Sequence, residues 1–202
     1  MTLRRSLVLL LFGLIAMTAS IVSYRSGAKP HRGESPARPS GVAGRAPLDL
    51  GSSEWLAIPA PDGPFFTLDG GPARLSDHRG QVVLLNFWGT WCPPCRVEIP
   101  HLVRAQAKLE AIGATIIAPA VGSGAPEDIL AFAGEAGINY PIWIVSDAVA
   151  VGTFGAPGYP FTLLIGPDGV IRRTYIGPQT EEVLLRDVEE LLSGEEAPAA
   201  AG

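Results

Sequence analysis

Hydrophobic positions along this chain switch repeatedly between two rhythms, and the switches mark alternating strands and helices. Phe65-Phe66-Thr67-Leu68, the turn Asp69-Gly70-Gly71 and Pro72-Ala73-Arg74-Leu75 read as a small hairpin. Gln81 to Trp88 is a near-continuous apolar run behind Gly80, the pattern of a strand buried on both faces. From about Pro93 to Ala111 the spacing predicts a helix, with Val97, Leu102, Val103, Leu109 and Ile112 as its apolar stripe. Gly113 ends that helix and Pro100 is expected to kink it. Thr115 to Val121 is the next strand. Pro126 to Ala136 is a helix with proline at its start and Gly137 at its end. A short strand over Ile142 to Val145 and a helical segment over Asp147 to Phe154 come next. Phe161 to Ile165 and Val170 to Ile176 form a hairpin about Pro167-Asp168-Gly169. Glu181 to Leu192 closes the domain, with Val183, Leu184, Val188, Leu191 and Leu192 inward. Such alternation, ending in a β-hairpin and a helix, predicts a layered α/β domain with a mixed central sheet flanked by helices.

The two ends obey other rules. Arg4 and Arg5 precede an apolar stretch from Leu7 to Val22, edged by Ser6 and Tyr24, close to the ~20 residues a bilayer span needs. This is read as an uncleaved transmembrane signal-anchor over residues 1–24. A cleaved signal peptide is the alternative; its apolar region is usually shorter, about 7 to 15 residues, and Ala16-Met17-Thr18-Ala19-Ser20 offers only weak cleavage candidates. Arg25, Lys29 and Arg32 balance Arg4 and Arg5 across the segment, so positive charge does not fix its orientation. The very short leading tail favours export of the chain beyond the apolar segment. Residues 25–47, rich in Pro, Gly, Ala, Ser and Arg, are expected to be a flexible tether, residues 48–193 the folded domain, and residues 194–202 a frayed tail.

Composition narrows the function. A net charge of −5 and the lack of a glycine-rich phosphate loop give no reason to expect nucleic acid or nucleotide. The chain has only two cysteines, and both lie in Trp91-Cys92-Pro93-Pro94-Cys95, where a strand gives way to a helix. A thiol there meets unpaired backbone N–H groups and the positive end of the helix dipole, which favour thiolate. A second thiol about one turn on can attack a mixed disulfide formed at the first. The pair therefore reads as a two-electron dithiol/disulfide couple that needs no metal or organic cofactor. Zinc binding would require two more ligands, and only His31, His78 and His101 remain as soft candidates. A structural disulfide closing so short a loop would constrain the unfolded chain little. A peroxidatic cysteine would sit in a Pro-x-x-x-Ser/Thr-x-x-Cys frame, whereas Thr90 stands two before Cys92.

Three stretches carry a resemblance that covers roughly Ala60 to Leu192. They are Leu75-Ser76-Asp77 followed by Gly80, the run from Leu84 through Trp91-Cys92-Pro93-Pro94-Cys95 to Glu98-Ile99-Pro100, and Phe154-Gly155-Ala156-Pro157-Gly158-Tyr159-Pro160-Phe161-Thr162-Leu163-Leu164-Ile165. On these the chain resembles the membrane-anchored TlpA/ResA-like, CcmG-related group of thioredoxin-fold proteins. The resemblance implies a thioredoxin fold with an N-terminal β-hairpin extension and a thiol:disulfide oxidoreductase activity. It implies Cys92 as the attacking thiol, which its place nearer the helix start supports, and Cys95 as the resolving one. Trp91 would cover the disulfide. Pro160 matches the family's cis-proline opposite the active pair, and Tyr159 would offer backbone groups to a substrate chain. Phe161, where relatives place threonine, is expected to make that substrate surface bulkier.

Glu98 matches the family's glutamate near the thiols and lies on the same helical face as Cys95. We expect it to manage the Cys95 proton; an exposed first-turn glutamate favoured by the helix dipole is the alternative. Thioredoxin has a buried aspartate where this chain has Asn86, which is expected to be structural, like Pro100. His78, His101, Arg96 and Arg104 read as surface groups. The implied partners are client proteins with disulfides, apocytochrome c haem-binding thiols among them, and a membrane thiol electron donor. The implied location is the bacterial inner membrane, with a periplasmic domain. The same motif serves two other readings: a disulfide-donating oxidant or dedicated maturation factor for one exported enzyme, and a redox-inert binding module.

Overall fold

The structure is a computed structural model that describes residues 55–194. The anchor expected over 1–24, the tether over 25–47 and the tail beyond Gly194 lie outside the described residues. Among the described residues no helix is long and apolar enough to cross a membrane.

Eight strands form one mixed sheet. They are β1 (Ile58–Pro59), β2 (Phe65–Thr67), β3 (Pro72–Ala73), β4 (Val82–Phe87), β5 (Ala114–Val121), β6 (Ile142–Val145), β7 (Phe161–Ile165) and β8 (Val170–Ile176). Their order is β1-β8-β7-β4-β5-β6-β2-β3. β4, β5 and β6 run parallel, while β7 is antiparallel to β4 and to β8. Four α-helices connect them: α1 (Pro93–Ala111), α2 (Pro126–Ala136), α3 (Asp147–Gly152) and α4 (Glu181–Ser193). The expected elements are all present, with ends that differ by a residue or two. One strand is unexpected: β1, a two-residue edge strand beside β8. The predicted hairpin β2–β3 also does more than fold on itself, since β2 pairs antiparallel with β6 and extends the sheet.

The period of two along the central strands divides the core into two layers. Val82 and Leu84 of β4 and Leu164 of β7 pack under α1 and α4, with Cys95, Ile99, Leu102, Leu109, Leu184 and Val188. Val83, Leu85 and Phe87 of β4 and Phe161, Leu163 and Ile165 of β7 face the opposite layer, with Phe65, Trp143, Ala150 and Phe154. This alternation corrects one expectation. Phe161 is fully buried against Phe87, their ring centroids 6.2 Å apart, and adds nothing to a substrate surface.

Two helical stripes also need correction. On α1 the buried positions are Cys95, Glu98, Ile99, Leu102, Ala105, Gln106 and Leu109, whereas Val97 is 66% exposed. Val97 lies two residues from both Cys95 and Ile99, which turns it to the far side of the helix. Ile112 is also 37% exposed, and on α4 Leu192 faces solvent while Asp187 faces inward. α1 runs unbroken through Pro100, whose ring is exposed.

The inward Gln106 closes a gap in the sheet. β6 pairs only with Ala118 to Val121 of β5, and the earlier Ile116 N–H donates instead to Gln106 Oε1 (3.0 Å). Gln106→Leu leaves that buried donor without an acceptor, a loss of about 1–3 kcal/mol. The expected result is a lower urea midpoint with an unchanged slope; an unchanged midpoint would remove Gln106 from the account of stability.

Candidate active site at the N-terminus of α1

Cys92 and Cys95 form a disulfide. Cys92 is the N-cap of α1, and its Sγ accepts the Cys95 backbone N–H at 3.3 Å. Both cysteines are buried, each 1% exposed, so Cys92 is no more open to solvent in the oxidised protein than its partner. The strand-to-helix segment that carries it is held by a series of bonds. Cys92 N–H donates to the Gly89 carbonyl (3.1 Å) and Thr90 N–H to Ser123 Oγ (3.1 Å). Arg96 donates through Nε (2.9 Å) and Nη2 (2.6 Å) to the Thr90 carbonyl, and its guanidinium lies over Phe132.

Trp91 is 54% exposed, yet its position is fixed. Its Nε1–H donates to the Val121 carbonyl (3.0 Å), and its ring meets Tyr159 edge-on at 5.8 Å. The indole folds back over Gly89, where a Cβ would stand 2.6 Å from Nε1, so glycine is needed there. Across the groove the Tyr159–Pro160 peptide is cis, and the Tyr159 carbonyl oxygen lies 3.6 Å from Cys92 Sγ. The Tyr159 hydroxyl donates to Asp147 Oδ1 (2.8 Å) at the start of α3. Pro160 is buried and its carbonyl accepts the Gly177 N–H (2.9 Å), tying the groove wall to the end of β8.

Glu98 is not the exposed first-turn residue of the alternative reading. It is 1% exposed, facing the sheet one turn beyond Cys95. Its Oε1 accepts the Gln179 backbone N–H (2.9 Å) and its Oε2 accepts Asn86 Nδ2–H (2.9 Å). Burial raises its carboxyl from about 4.5 to about 7, against the lowering effect of those two donors. Burial, followed by the charge of Glu98, also raises the nearby Tyr140 phenol. Asn86, expected only to fill the strand, therefore belongs to the site. Thr162, the lone polar residue of β7, belongs to it as well, and so does Gln179, to which no sequence signal points. Of the groups read as surface, Arg96 and Arg104 are exposed, and His78 and His101 are half-buried. Among the described residues no cluster of His, Cys, Asp or Glu could hold a metal ion.

A parallel-antiparallel sheet, a Cys-Pro-Pro-Cys disulfide at the start of its first long helix and a cis-proline facing that disulfide define a thioredoxin-fold dithiol/disulfide protein. The chain belongs to the AhpC/TSA family, whose model matches residues 57–174, and within it to the ResA-type thiol-disulfide oxidoreductases. The thiol-disulfide oxidoreductase ResA of Geobacillus thermodenitrificans (strain NG80-2) is 34% identical over 133 residues, which cover 65% of this chain and 75% of that protein. A thiol:disulfide interchange protein of the thioredoxin family from Chlorobium tepidum TLS superposes with a TM-score of 0.60 at 28% identity, covering 68% of this chain and 97% of that one. A secreted thiol-disulfide isomerase from Corynebacterium glutamicum superposes with a TM-score of 0.61 at 25% identity, covering 66% and 85%.

The raised Glu98 carboxyl makes stability depend on pH with a defined sign. Between about 4.5 and about 7 the folded protein holds a proton that the unfolded chain releases. The stability this confers is fully present below pH 4.5 and is lost as pH rises through 7. Glu98→Gln should abolish that loss. Relative to the variant, the parent should weaken by on the order of 3 kcal/mol between pH 4.5 and 8 in urea unfolding with the disulfide intact. A parent-minus-variant difference that stays level with pH would show that Glu98 does not titrate in this range.

Proposed function

We propose that this protein reduces the disulfides of client proteins outside the cytoplasm, using electrons drawn from a thiol donor in the membrane. The observation that carries this reading is the buried Glu98 carboxyl one turn beyond Cys95, whose charge disfavours thiolate and so favours the disulfide form of the pair, with Cys92 Sγ 3.6 Å from the Tyr159 carbonyl beside the cis-proline. In the reduced protein the Cys92 thiolate attacks one sulfur of the client disulfide. A Cys92–client bond forms and the other client sulfur leaves as thiolate. Cys95 then attacks Cys92 Sγ, the client departs as a dithiol, and the Cys92–Cys95 disulfide is restored. Two electrons pass to the client.

The second attack requires Cys95 to lose its proton inside the core. Glu98 is the acceptor we assign, because it lies on the same face one turn on and its carboxyl titrates near neutral pH. Trp91, Tyr159 and Pro160 form the client-binding surface. Trp91 and Tyr159 supply aromatic walls, and the backbone before Pro160 supplies hydrogen-bonding groups to an extended client segment. The apolar segment between Leu7 and Val22 is the membrane anchor in this reading, holding the domain on the periplasmic side of the inner membrane. The secreted isomerase from Corynebacterium glutamicum supports an extracytoplasmic setting. An apocytochrome c thiol pair is the client class we favour.

The reduction potential of the purified protein, equilibrated in defined thiol buffers, tests the direction of electron flow. We expect a value near or below about −250 mV, close to thioredoxin's. A value near about −120 mV would make the protein a disulfide donor and overturn the reductant reading. Cys95→Ser should accumulate mixed disulfides with clients in cells, and Cys92→Ser should accumulate none. If Cys95→Ser traps nothing while Cys92→Ser retains full function, the domain is a redox-inert binding module.

A further inference from the structure

We propose that Asn86 is a positioning residue for this reaction: its amide orients the Glu98 carboxylate and stabilises its charged form, with the Thr162 hydroxyl holding the amide nitrogen in place. The proposal rests on the reading of Glu98 as the Cys95 proton acceptor. Asn86 occupies the one polar position of β4. The period of two puts it on the same side of the sheet as Val82 and Leu84, under α1. It is 2% exposed, and a polar side chain in such a place is unfavourable unless it is hydrogen-bonded.

Both hydrogens of its amide nitrogen are committed, one to Glu98 Oε2 at 2.9 Å and the other to Thr162 Oγ1 at 2.8 Å. Thr162 is fully buried and is the register partner of Asn86 across the β4–β7 ladder. The ionised carboxylate, which can only accept, selects the donor end of the amide, and the Thr162 hydroxyl accepts the second hydrogen and holds the amide there. A rotated amide would present a carbonyl to the carboxylate and repel it.

The groups facing Glu98 are few. Cys95 lies one turn before it on its own helix, and the Tyr140 phenol comes from the segment ahead of β6. The Gln179 N–H comes from the β8–α4 connection and the Asn86 amide from β4. No cationic side chain among the described residues acts on its charge. The Gln179 donor belongs to the backbone and survives any side-chain substitution except proline. Asn86 is therefore the side chain through which sequence adjusts the proton acceptor.

A purely structural Asn86 would affect stability and leave the pH profile in place, so the decisive readout is a pH midpoint. The rate at which the reduced, full-length protein reduces a small aromatic disulfide is measured against pH for the parent, Glu98→Gln, Asn86→Leu and Thr162→Val. The parent should show a Glu98-dependent inflection near neutral pH that Glu98→Gln removes. Asn86→Leu, similar in shape but without the donor, should move that inflection upward by about one pH unit, a tenfold gain in proton affinity. Thr162→Val should move it the same way by less. If Glu98→Gln removes the inflection and neither Asn86→Leu nor Thr162→Val shifts it, Asn86 is structural and the proposal falls while the Glu98 reading stands. If Glu98→Gln changes nothing, the Glu98 reading falls. Carbon-13 titration of the Glu98 carboxyl then decides the Asn86 claim, which an unmoved midpoint in Asn86→Leu would overturn. Should Asn86→Leu fail to fold, the same titration in Thr162→Val decides it: an upward shift supports the proposal and an unmoved midpoint overturns it.

Discussion

A carboxylate buried to 1% exposure beside a disulfide is the constraint around which this end of the molecule is organised. Removing such a charge from water is strongly unfavourable unless hydrogen bonds or a counter-charge replace the lost solvation. Glu98 has hydrogen bonds alone, and they come from two directions: Asn86 in the central strand and the Gln179 backbone after the last strand. Helix α1, strand β4 and the β8–α4 connection must therefore meet at one point. Asp187, also buried, is satisfied differently. It sits on α4 between Arg173 (2.9 Å) and Arg186 (2.7 Å) and accepts the Tyr175 hydroxyl (2.7 Å). Asp187 is held by cations, whereas Glu98 is left with neutral donors and titrates near 7. The Glu98 arrangement suits proton exchange at physiological pH.

The disulfide itself depends on the rigidity of the segment that precedes it. Gly89 to Cys92 is fixed by bonds to Ser123, Val121 and Arg96, so the backbone arrives at the helix already anchored. Reactive groups are held most accurately when their supporting residues are themselves locked. The glycine before Thr90 has a steric role, because the Trp91 indole occupies the space a Cβ would need. Arg96 has a part that its exposure conceals: its guanidinium grips the Thr90 carbonyl from the helix that the segment introduces.

Much of this is legible in the sequence, and the failures have physical causes. The order of strands and helices, the cysteine pair at a strand-to-helix junction and the buried β4 all come from hydrophobic period and turn residues. The role of Asn86 is within reach too: a lone polar residue in a strand of apolar ones, in phase with Val82 and Leu84, must find a partner beneath the helix. Phe161 misleads because its place after Pro160 outweighs, on paper, the period of two that turns it away from the groove. Val97 and Leu192 mislead because a hydrophobic residue at a helix edge need not be inside. Gln179 contributes through its backbone N–H, which any residue but proline carries, so its identity holds no signal. The strand at Ile58–Pro59 is too short for a periodicity to be seen.

The direction of electron flow reduces to a balance of charges around two sulfurs. A dithiol/disulfide pair becomes more oxidising as its reduced, thiolate-bearing form is stabilised. The Cys95 N–H at Cys92 Sγ and the N-terminal end of α1 act in that sense. Glu98 acts against them once it is ionised, because a negative charge one turn from Cys95 disfavours thiolate in a medium that screens poorly. Since the carboxyl titrates near 7, this opposition strengthens as pH rises through neutrality. Asn86 and Gln179, by favouring the charged carboxylate, bring that opposition in at lower pH. The same two contacts that make burial of Glu98 tolerable thus bear on proton transfer and on redox poise, and a change at either of them alters both.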